Sequence, residues 1–390
     1  MTSLLPAVVA CFFALVGVRW LMRAGNPLAS RAEVNGRSMH AEVMPQGGGL
    51  AVIAVMVAVA LWTGWSEGWE LFGGPRVIAA LVAVAAISWI DDHRHVRASL
   101  RFWVHVAAAG LVLSAVLPLA EVRLPYLRAH QVPLWLGIAA SLPGLVWFLN
   151  LYNFMDGLDG LAGGMTVIGF GALGAFGLAA GDVEYATSCL VVAGAGLGFL
   201  VWNFPPARIF LGDVGACPLG LTAGAMILWG VNRGVFTVWA PMLVFAPFWV
   251  DATTTLVRRM IRREKVWEAH RTHAFQRLAA SGWGHRKTTL VEYASMALCA
   301  GLAVLHEVSG AEGRLVVLLS TLAAAIAGYR WVGRRMSFEN AAAATRPVAA
   351  NEAVLPAHPP IVRPHPGAGE DTPERGESAE KPAARVSARA

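Results

Sequence analysis

The chain has 390 residues, of which 56% are hydrophobic and 14% charged, and its formal net charge is +6. A soluble domain carries about 25% charged residues, so this composition excludes a soluble globular protein and indicates a polytopic membrane protein. The cysteines lie in or beside apolar runs without metal-ligand spacing, which argues against a zinc site or a disulfide framework. They are Cys11, Cys189, Cys217 and Cys299.

Apolar runs that are long enough to cross a bilayer recur along the chain. A spanning helix needs about 20 mostly apolar residues. The first run lacks the basic segment and the cleavage site of a signal peptide, so we expect it to be retained. The runs predict an all-α bundle of about 11 transmembrane helices, with ten as the lower count. The predicted spans are 3–22, 48–66, 75–90, 102–120, 132–150, 161–180, 185–203, 215–231, 235–256, 289–307 and 313–332.

Lysine and arginine are concentrated in alternate gaps between these runs. Because cytoplasmic loops carry the excess of positive charge, we predict an outside N-terminus and a cytoplasmic C-terminus. The gaps predicted to be cytoplasmic are 23–47, 91–101, 150–160, 204–214 and 257–288.

The final stretch differs from the rest in composition. It is rich in Ala, Pro, Glu and Arg and nearly lacks aromatic residues, so it cannot bury a core. We predict a transmembrane domain over 1–332 and a disordered cytoplasmic tail over 333–390.

The segment from Asn150 to Leu161 reads NLYNFMDGLDGL and carries the densest polar cluster between apolar runs. An Asp at the centre of a membrane helix costs roughly 2.5–3.5 kcal/mol. Such a cluster is therefore expected where water, a metal or a charged substrate meets the chain. The alternative is a plain polar turn at Gly157 and Gly160.

Three further polar clusters fall on the same predicted face: Asp91–Asp92, Pro205–Gly215 and Glu268–Leu278. Carboxylate and carboxamide oxygens suit Mg²⁺, which completes its shell with substrate phosphates and water. Arginine grips phosphate oxygens bidentately, and phosphoryl transfer depends mainly on positioning and charge neutralisation. Each cluster alone also fits a solvated helix end, a turn or a topology-setting loop, and their convergence favours the functional interpretation.

The motifs N-x-x-N-x-x-D-G-x-D-G-L, F-L-G-D-x-G and an early Asp-Asp pair at a helix end resemble a known family. It comprises the polyprenyl-phosphate N-acetylhexosamine-1-phosphate transferases, glycosyltransferase family 4. The resemblance covers about residues 1–332. The segment H-R-T-H-A-F-Q-R-L is similar to the branch that starts O-antigen or related surface-glycan synthesis.

The resemblance implies transfer of a sugar 1-phosphate from a UDP-N-acetylhexosamine to undecaprenyl phosphate at the bacterial inner membrane. It assigns Mg²⁺, with Mn²⁺ as the substitute, to Asn153 and Asp213. It places Asp91 and Asp92 at the lipid phosphate, with Asp91 as a candidate base, and Asp156 in the same catalytic cleft.

Substrate binding is likewise implied for a further set of residues. Phe210 would stack on uracil, whose edge Asp159 would hydrogen-bond. His270, Arg271 and His273, in the loop before the last two spans, would contact the sugar phosphates or the acylamino group. The remaining implied substrate contacts are Arg101 and Asn150.

Two positions depart from the family pattern: Gln46 stands at a basic position and Ala216 at a serine. These departures bear on fine substrate contacts. Within enzymes, the alternative is the phospho-MurNAc-pentapeptide transferase of the same superfamily, and the rival from another class is a transporter of an anionic substrate. No nucleic-acid partner is expected, and the oligomeric state stays open between a monomer and a homodimer.

Overall fold

The computed structural model describes most of the chain. The predicted site residues His270 and Arg271 lie outside the described residues, as does the chain beyond 344. The described ranges are 4–32, 44–66, 68, 71–94, 96–123, 126, 129–265 and 272–344.

These residues form a helical bundle, which confirms the all-α prediction. The helices are α1 Leu4–Leu21, α2 Gly49–Ser66, α3 Pro75–His93, α4 Ala98–Val116, α5 Leu134–Met155, α6 Leu161–Ala179, α7 Val183–Asn203, α8 Asp213–Asn232, α9 Trp239–Val244, α10 Ala246–Ile261, α11 Ala274–Leu278, α12 Gly284–Val308 and α13 Ala311–Ala344. A kinked turn over Ala279–Trp283 joins α11 to α12. Helix α13 continues past residue 332, where the transmembrane domain was predicted to end.

Two short antiparallel strand pairs complete the described structure. Strands β1 (Ser30–Ala32) and β2 (Met44–Gln46) pair with Ser30 opposite Gln46. Strands β3 (Glu121–Val122) and β4 (His130–Gln131) pair between α4 and α5. They are connections between helices and form no layer of their own.

Within the described ranges, nine helical segments are long and apolar enough to cross a membrane, so the count of 11 is not confirmed. The predicted span 75–90 is helix α3, which also carries Arg76, Asp91 and Asp92 and is therefore too charged to qualify. The predicted span 235–256 is interrupted at Phe245 and becomes two shorter helices, α9 and α10.

The interruption follows from the residues around Phe245. Pro247 stands in the first turn of α10. Proline has no backbone N–H and cannot donate to the carbonyl four residues earlier, so it starts a helix well but does not continue one. The apolar run is long enough for one span, but its backbone restarts part-way along.

Helix α8 lies at the centre of the bundle. Of its most apolar stretch 94% is buried, against 11% for α13. It packs against α2, α3, α4 and α5, while α7 packs against α1 and α6. A helix with this many neighbours needs a surface without bulky side chains, and small residues let backbones approach closely in membrane bundles.

Glycines mark the closest approaches to α8. A Cβ added at Gly220 would lie 2.3 Å from the carbonyl oxygen of Phe148 in α5. A Cβ added at Gly215 would lie 2.5 Å from the Cα of Gly49 in α2, and one at Gly49 would lie 2.2 Å from the Cα of Gly215. The two backbones at each crossing leave no room for a methyl group.

We predict that Gly220→Ala destabilises the folded protein, because the new methyl group would overlap the backbone of α5. Overpacking of this kind costs about 1–3 kcal/mol. Gly144→Ala in α5 is the matched control, since nothing lies within 4 Å of its added Cβ. Unfolding in mixed micelles should show a clear loss for the first variant and none for the second. Equal stability of the two variants would contradict the close crossing.

Candidate active site

The early acidic pair lies where α3 ends and α4 begins. The Asp91 carboxylate forms an ion pair with Arg101 in the first turn of α4 and accepts a hydrogen bond from the Val96 N–H at 2.9 Å. The same Arg101 guanidinium lies 3.6 Å from Asp213 Oδ2. Arg101 therefore connects the Asp91 carboxylate to the first residue of α8.

Asp92 faces two other segments of the chain. Its Oδ1 accepts from Gln46 Nε2 at 3.2 Å, and its Oδ2 accepts from the backbone N–H of Val214 at 3.4 Å. The Val214 N–H belongs to the first turn of α8, where helix N–H groups lack intrahelical acceptors. Asp92 thus supplies one of the acceptors that the start of α8 needs.

Gln46 is positioned by strand pairing with the segment that leads into α8. Phe210 N–H donates to the Pro45 carbonyl at 2.9 Å, and the N–H groups of Gly47 and Gly48 donate to the Phe210 carbonyl at 3.1 and 2.9 Å. Gln46, which departs from the family pattern, is thus held where its side-chain amide donates a hydrogen bond to Asp92.

The end of α5 reaches the same place. The Asn153 side chain hydrogen-bonds the Asp213 carboxylate. Asp156 ends α5, and the Gly212 N–H donates to its carboxylate. Burial raises the pKa of the Asp156 carboxyl well above its usual range, and the negative charges of Asp213 and Asp92 raise it further.

The structure therefore brings together most of the acidic and metal-binding residues predicted from the sequence. Their carboxylates come from three helices that end or begin on one side of the bundle. We define these residues as the acidic cluster: Asp91, Asp92, Asn153, Asp156 and Asp213, with Arg101 beside them.

Asp159 lies deeper and is 4% exposed. Its Oδ2 accepts from the Ala207 N–H at 3.0 Å, and His285 Nδ1 lies 3.1 Å from its Oδ1. Thr289 Oγ1 donates to its carbonyl at 2.7 Å. In this arrangement the carboxylate holds the loop after α5 against the segment before α8 and the start of α12. Its predicted bond to uracil stays a prediction.

Asn150 and Asn153 behave differently although one turn separates them. Asn150 Nδ2 donates to the Val146 carbonyl of its own helix at 2.7 Å, whereas Asn153 bonds across helices to Asp213. The Phe210 side chain is half-buried. The predicted substrate contacts of Asn150 and Phe210 stay predictions.

His273 occupies an enclosed position at the start of α11. It is 2% exposed and its ring stacks against Phe154 and Phe275, with centroids 6.3 and 5.7 Å away. Its Nδ1 lies 3.5 Å from Asp251 Oδ1 in α10. This placement makes His273 part of the packing that joins the loop to the end of α5. Contact with substrate stays a prediction for His273, and His270 and Arg271 lie outside the described residues.

The sequence reasoning missed the residues that fix these loops. Asp251 accepts from the N–H groups of Ala274 and Phe275 at 2.8 and 3.2 Å, and so binds the free N–H groups that begin α11. An acidic residue inside an apolar run was the available signal. Tyr293, which donates to the Gly160 carbonyl at 2.6 Å, and His285 carry no comparable signal, because their partners are over 120 residues away in sequence.

The acidic cluster fits a hard divalent cation that takes few protein ligands. Over the part of the chain that the structure describes, no group of three His, Cys, Asp or Glu side chains could hold a metal on its own. Mg²⁺ usually binds one or two carboxylates and completes its octahedron with waters and substrate phosphates. Asp213 and Asn153, already joined by a hydrogen bond, supply such a partial set of oxygen ligands.

Comparison with known proteins gives the same family as the motifs. The model of glycosyl transferase family 4 matches residues 75–231. A decaprenyl-phosphate N-acetylglucosaminephosphotransferase of Mycobacterium leprae is 30% identical over 320 residues, which cover 74% of this chain and 79% of the relative. The chain belongs to the polyprenyl-phosphate N-acetylhexosamine-1-phosphate transferase family.

Other relatives of this family 4 protein differ in their named activities. A probable undecaprenyl-phosphate N-acetylglucosaminyl 1-phosphate transferase of Bacillus subtilis is 28% identical over 291 residues, 73% of this chain and 80% of the relative. A phospho-N-acetylmuramoyl-pentapeptide-transferase of Lactiplantibacillus plantarum is 34% identical over 193 residues, 45% of this chain and 58% of the relative. Both branches considered from the sequence are therefore represented.

We predict that Asp251→Asn loosens the loop before α12 in this family 4 protein. The change removes the negative charge of the carboxylate that accepts hydrogen bonds from the Ala274 and Phe275 N–H groups. Hydrogen bonds to charged groups contribute about 1.5–3 kcal/mol each to stability. Limited proteolysis should cleave the variant faster within 272–278, the described stretch that holds the anchored N–H groups. Asp182→Asn, at the opposite end of the bundle, is the control and should leave that cleavage rate unchanged. Wild-type protection in Asp251→Asn would contradict the anchoring role.

Proposed function

We propose that this protein transfers an N-acetylhexosamine 1-phosphate from a UDP-sugar to undecaprenyl phosphate and releases UMP. The product would start a lipid-linked glycan, such as O-antigen or another cell-envelope polysaccharide, at the cytoplasmic face of the bacterial inner membrane. The observation that carries this proposal is the acidic cluster, which gathers carboxylates, a carboxamide and an arginine at the ends of membrane helices. Phosphates of a lipid and of a soluble nucleotide sugar can meet only at such a membrane surface.

The metal would be held by Asp213 and Asn153. When bound, Mg²⁺ would neutralise charge on the donor diphosphate and stabilise the charge that develops during transfer. Asp92 and Asp156 lie close enough to Asp213 for their charges to interact. They would place further negative charge around the cation and act on its bound waters through hydrogen bonds.

The acceptor phosphate would lie beside Asp91, Asp92 and Arg101. An oxygen of this phosphate attacks the β-phosphorus of the donor, a new P–O–P linkage forms, and the bond from that phosphorus to the UMP oxygen breaks. Asp91 would take the proton when the acceptor arrives as a monoanion. Arg101 contacts both Asp91 and Asp213. It would fix the position of the acceptor phosphate relative to the metal-binding residues.

Donor recognition would involve the residues around the cleft. Phe210 would stack on uracil, Asp159 would bond to its edge, and Asn150 would line the approach. The loop that contains His270, Arg271 and His273 would contact the sugar phosphates and the acylamino group. The similarity of the H-R-T-H-A-F-Q-R-L segment to the surface-glycan branch supports a surface-glycan donor.

A second donor has direct support from one relative. The match to the Lactiplantibacillus plantarum enzyme supports a UDP-MurNAc-pentapeptide donor on the same site. The acceptor chemistry is shared, so only turnover across a panel of UDP-N-acetyl sugars and the MurNAc-pentapeptide donor separates the two. A transporter has no such support, because the acidic cluster lies at helix ends rather than in broken helices at the membrane midplane.

The test is transfer of label from UDP-sugar to undecaprenyl phosphate by the purified full-length protein with Mg²⁺. We expect a lipid-soluble labelled product, and we expect Asp213→Ala to lower turnover at least about 100-fold by removing the metal's carboxylate. Asp182→Ala, far from the cluster, is the control. Near-normal turnover of Asp213→Ala would refute the metal assignment. Absence of lipid-linked label with every UDP-sugar and the MurNAc-pentapeptide donor would refute the proposed reaction.

A further prediction concerns Arg101. Arg101→Gln should reduce kcat about 100-fold, because one lost donor to developing phosphate charge commonly costs about 2.7–4 kcal/mol. Arg97→Gln is the matched control, since Arg97 is exposed one turn earlier at the start of α4. Steady-state rates at saturating donor and acceptor provide the comparison. A similar loss in both variants would point to general surface charge rather than to a specific contact.

A further inference from the structure

Two arginines lie against one tryptophan at the end of the bundle where α1 and α7 end and α8 begins. Arg19 stands in the last turn of α1, and its guanidinium carbon is 5.7 Å from the centre of the Trp202 ring in the last turn of α7. The guanidinium carbon of Arg208, in the segment that leads into α8, is 5.8 Å from the same ring. We call these three residues the arginine–tryptophan site.

Hydrogen bonds to the backbone fix the parts of this site relative to one another. Trp202 Nε1 donates to the Leu15 carbonyl of α1 at 3.1 Å. The Arg208 N–H donates to the Trp202 carbonyl at 2.9 Å. The indole therefore joins α7 to α1, one turn before Arg19, and the fold itself brings both guanidinium groups to one ring.

The positive charges of this site are not compensated by the protein. Both arginines are exposed, and among the residues that the structure describes no carboxylate forms an ion pair with Arg19 or Arg208. Like charges close together repel each other. Guanidinium groups match the geometry of phosphate oxygens and bind them bidentately, so a phosphate group is the chemistry that fits between them.

An exposed apolar stripe continues from Arg19 along the same face of α1. Val16, Phe12 and Val8 stand three, seven and eleven residues before Arg19, which is the spacing of one helix face. Their side chains are 46%, 59% and 64% exposed. Helix α1 is long and apolar enough to cross a membrane, so the stripe faces acyl chains and Arg19 lies near the level of the lipid phosphates. Tryptophan is enriched at that level, as Trp202 is here.

We propose that the arginine–tryptophan site binds the phosphate of an anionic phospholipid, one acyl chain of which lies along Val16 and Phe12. A nucleotide sugar has no apolar chain for this stripe. A zwitterionic lipid carries its own cation and leaves the arginine charges uncompensated. The bound lipid steadies the segment before α8, in which the Ala207 N–H donates to Asp159 at 3.0 Å. The site is separate from the acidic cluster, and its failure would leave the proposed transferase reaction untouched.

The experiment is native mass spectrometry of the full-length protein in uncharged detergent, titrated with dioleoyl phosphatidylglycerol or dioleoyl phosphatidylcholine. The wild type should bind phosphatidylglycerol at least about 10-fold more tightly, because each arginine near a membrane surface strengthens binding to anionic lipid. The double variant Arg19→Gln/Arg208→Gln should lose that preference. Arg97→Gln/Arg286→Gln is the matched control, which removes two exposed arginines elsewhere and should keep it.

A second titration tests the apolar stripe. Dihexanoyl phosphatidylglycerol has the same headgroup, but its chains are too short to follow the stripe. The wild type should bind it at least about 10-fold more weakly than the dioleoyl form, since each buried CH₂ group adds to lipid affinity. Equal affinity for the two lipids would mean that the headgroup alone is bound and would overturn the proposal.

Three further outcomes would also overturn it. The double variant could retain the lipid preference while its melting temperature matches the wild type. Inorganic phosphate at millimolar concentration could displace phosphatidylglycerol completely, which would assign the arginines to free anions. Undecaprenyl phosphate could displace it, which would assign the site to the acceptor. Displacement by neither, with the preference lost in the double variant at an unchanged melting temperature, supports the phospholipid site.

Discussion

The crossing of α8 with its neighbours at glycine positions is the constraint on which the site depends. Gly215 and Gly220 let the backbones of α2 and α5 approach so closely that no side chain fits between them. The first turn of α8 therefore meets the ends of three other helices. Oxygen ligands from separated parts of the sequence become neighbours without any long loop to carry them.

The close packing of these helix ends brings carboxylates together, and their mutual repulsion is only partly offset by nearby positive groups. Burial raises the pKa of the Asp156 carboxyl, and repulsion by the neighbouring carboxylates of Asp213 and Asp92 raises it further. Arg101 and the backbone N–H groups of Gly212 and Val214 offset only part of the charge. In the proposed reaction, this residual negative field would favour a divalent cation, and the cation would in turn allow phosphate groups to approach.

Sequence alone predicted that the acidic motifs converge and named all members of the acidic cluster, because carboxylates between long apolar runs are costly unless they serve a polar site. Its count of 11 spans is not confirmed over the described residues, since hydropathy does not register the backbone restart at Phe245. It could not assign Asp251 or His285, whose partners are set by tertiary packing. His273 shows the same limit: its residue type indicated chemistry, whereas its surroundings are aromatic rings and a buried carboxylate.

The contacts that α12 makes with the loop after α5 have a consequence for how the protein is synthesised. Gly160 has a left-handed backbone, and its carbonyl is held by Tyr293 of α12, whose ring packs against Gly164 of α6. The acidic cluster needs nothing beyond α8, yet the loop beside it is fixed only once α12 has been synthesised and inserted. A nascent chain halted before that point would contain the acidic cluster but would lack the contacts that fix the loop beside it. The loop beside the acidic cluster is therefore among the last parts of the cleft to be fixed during synthesis, because its contacts come from α12.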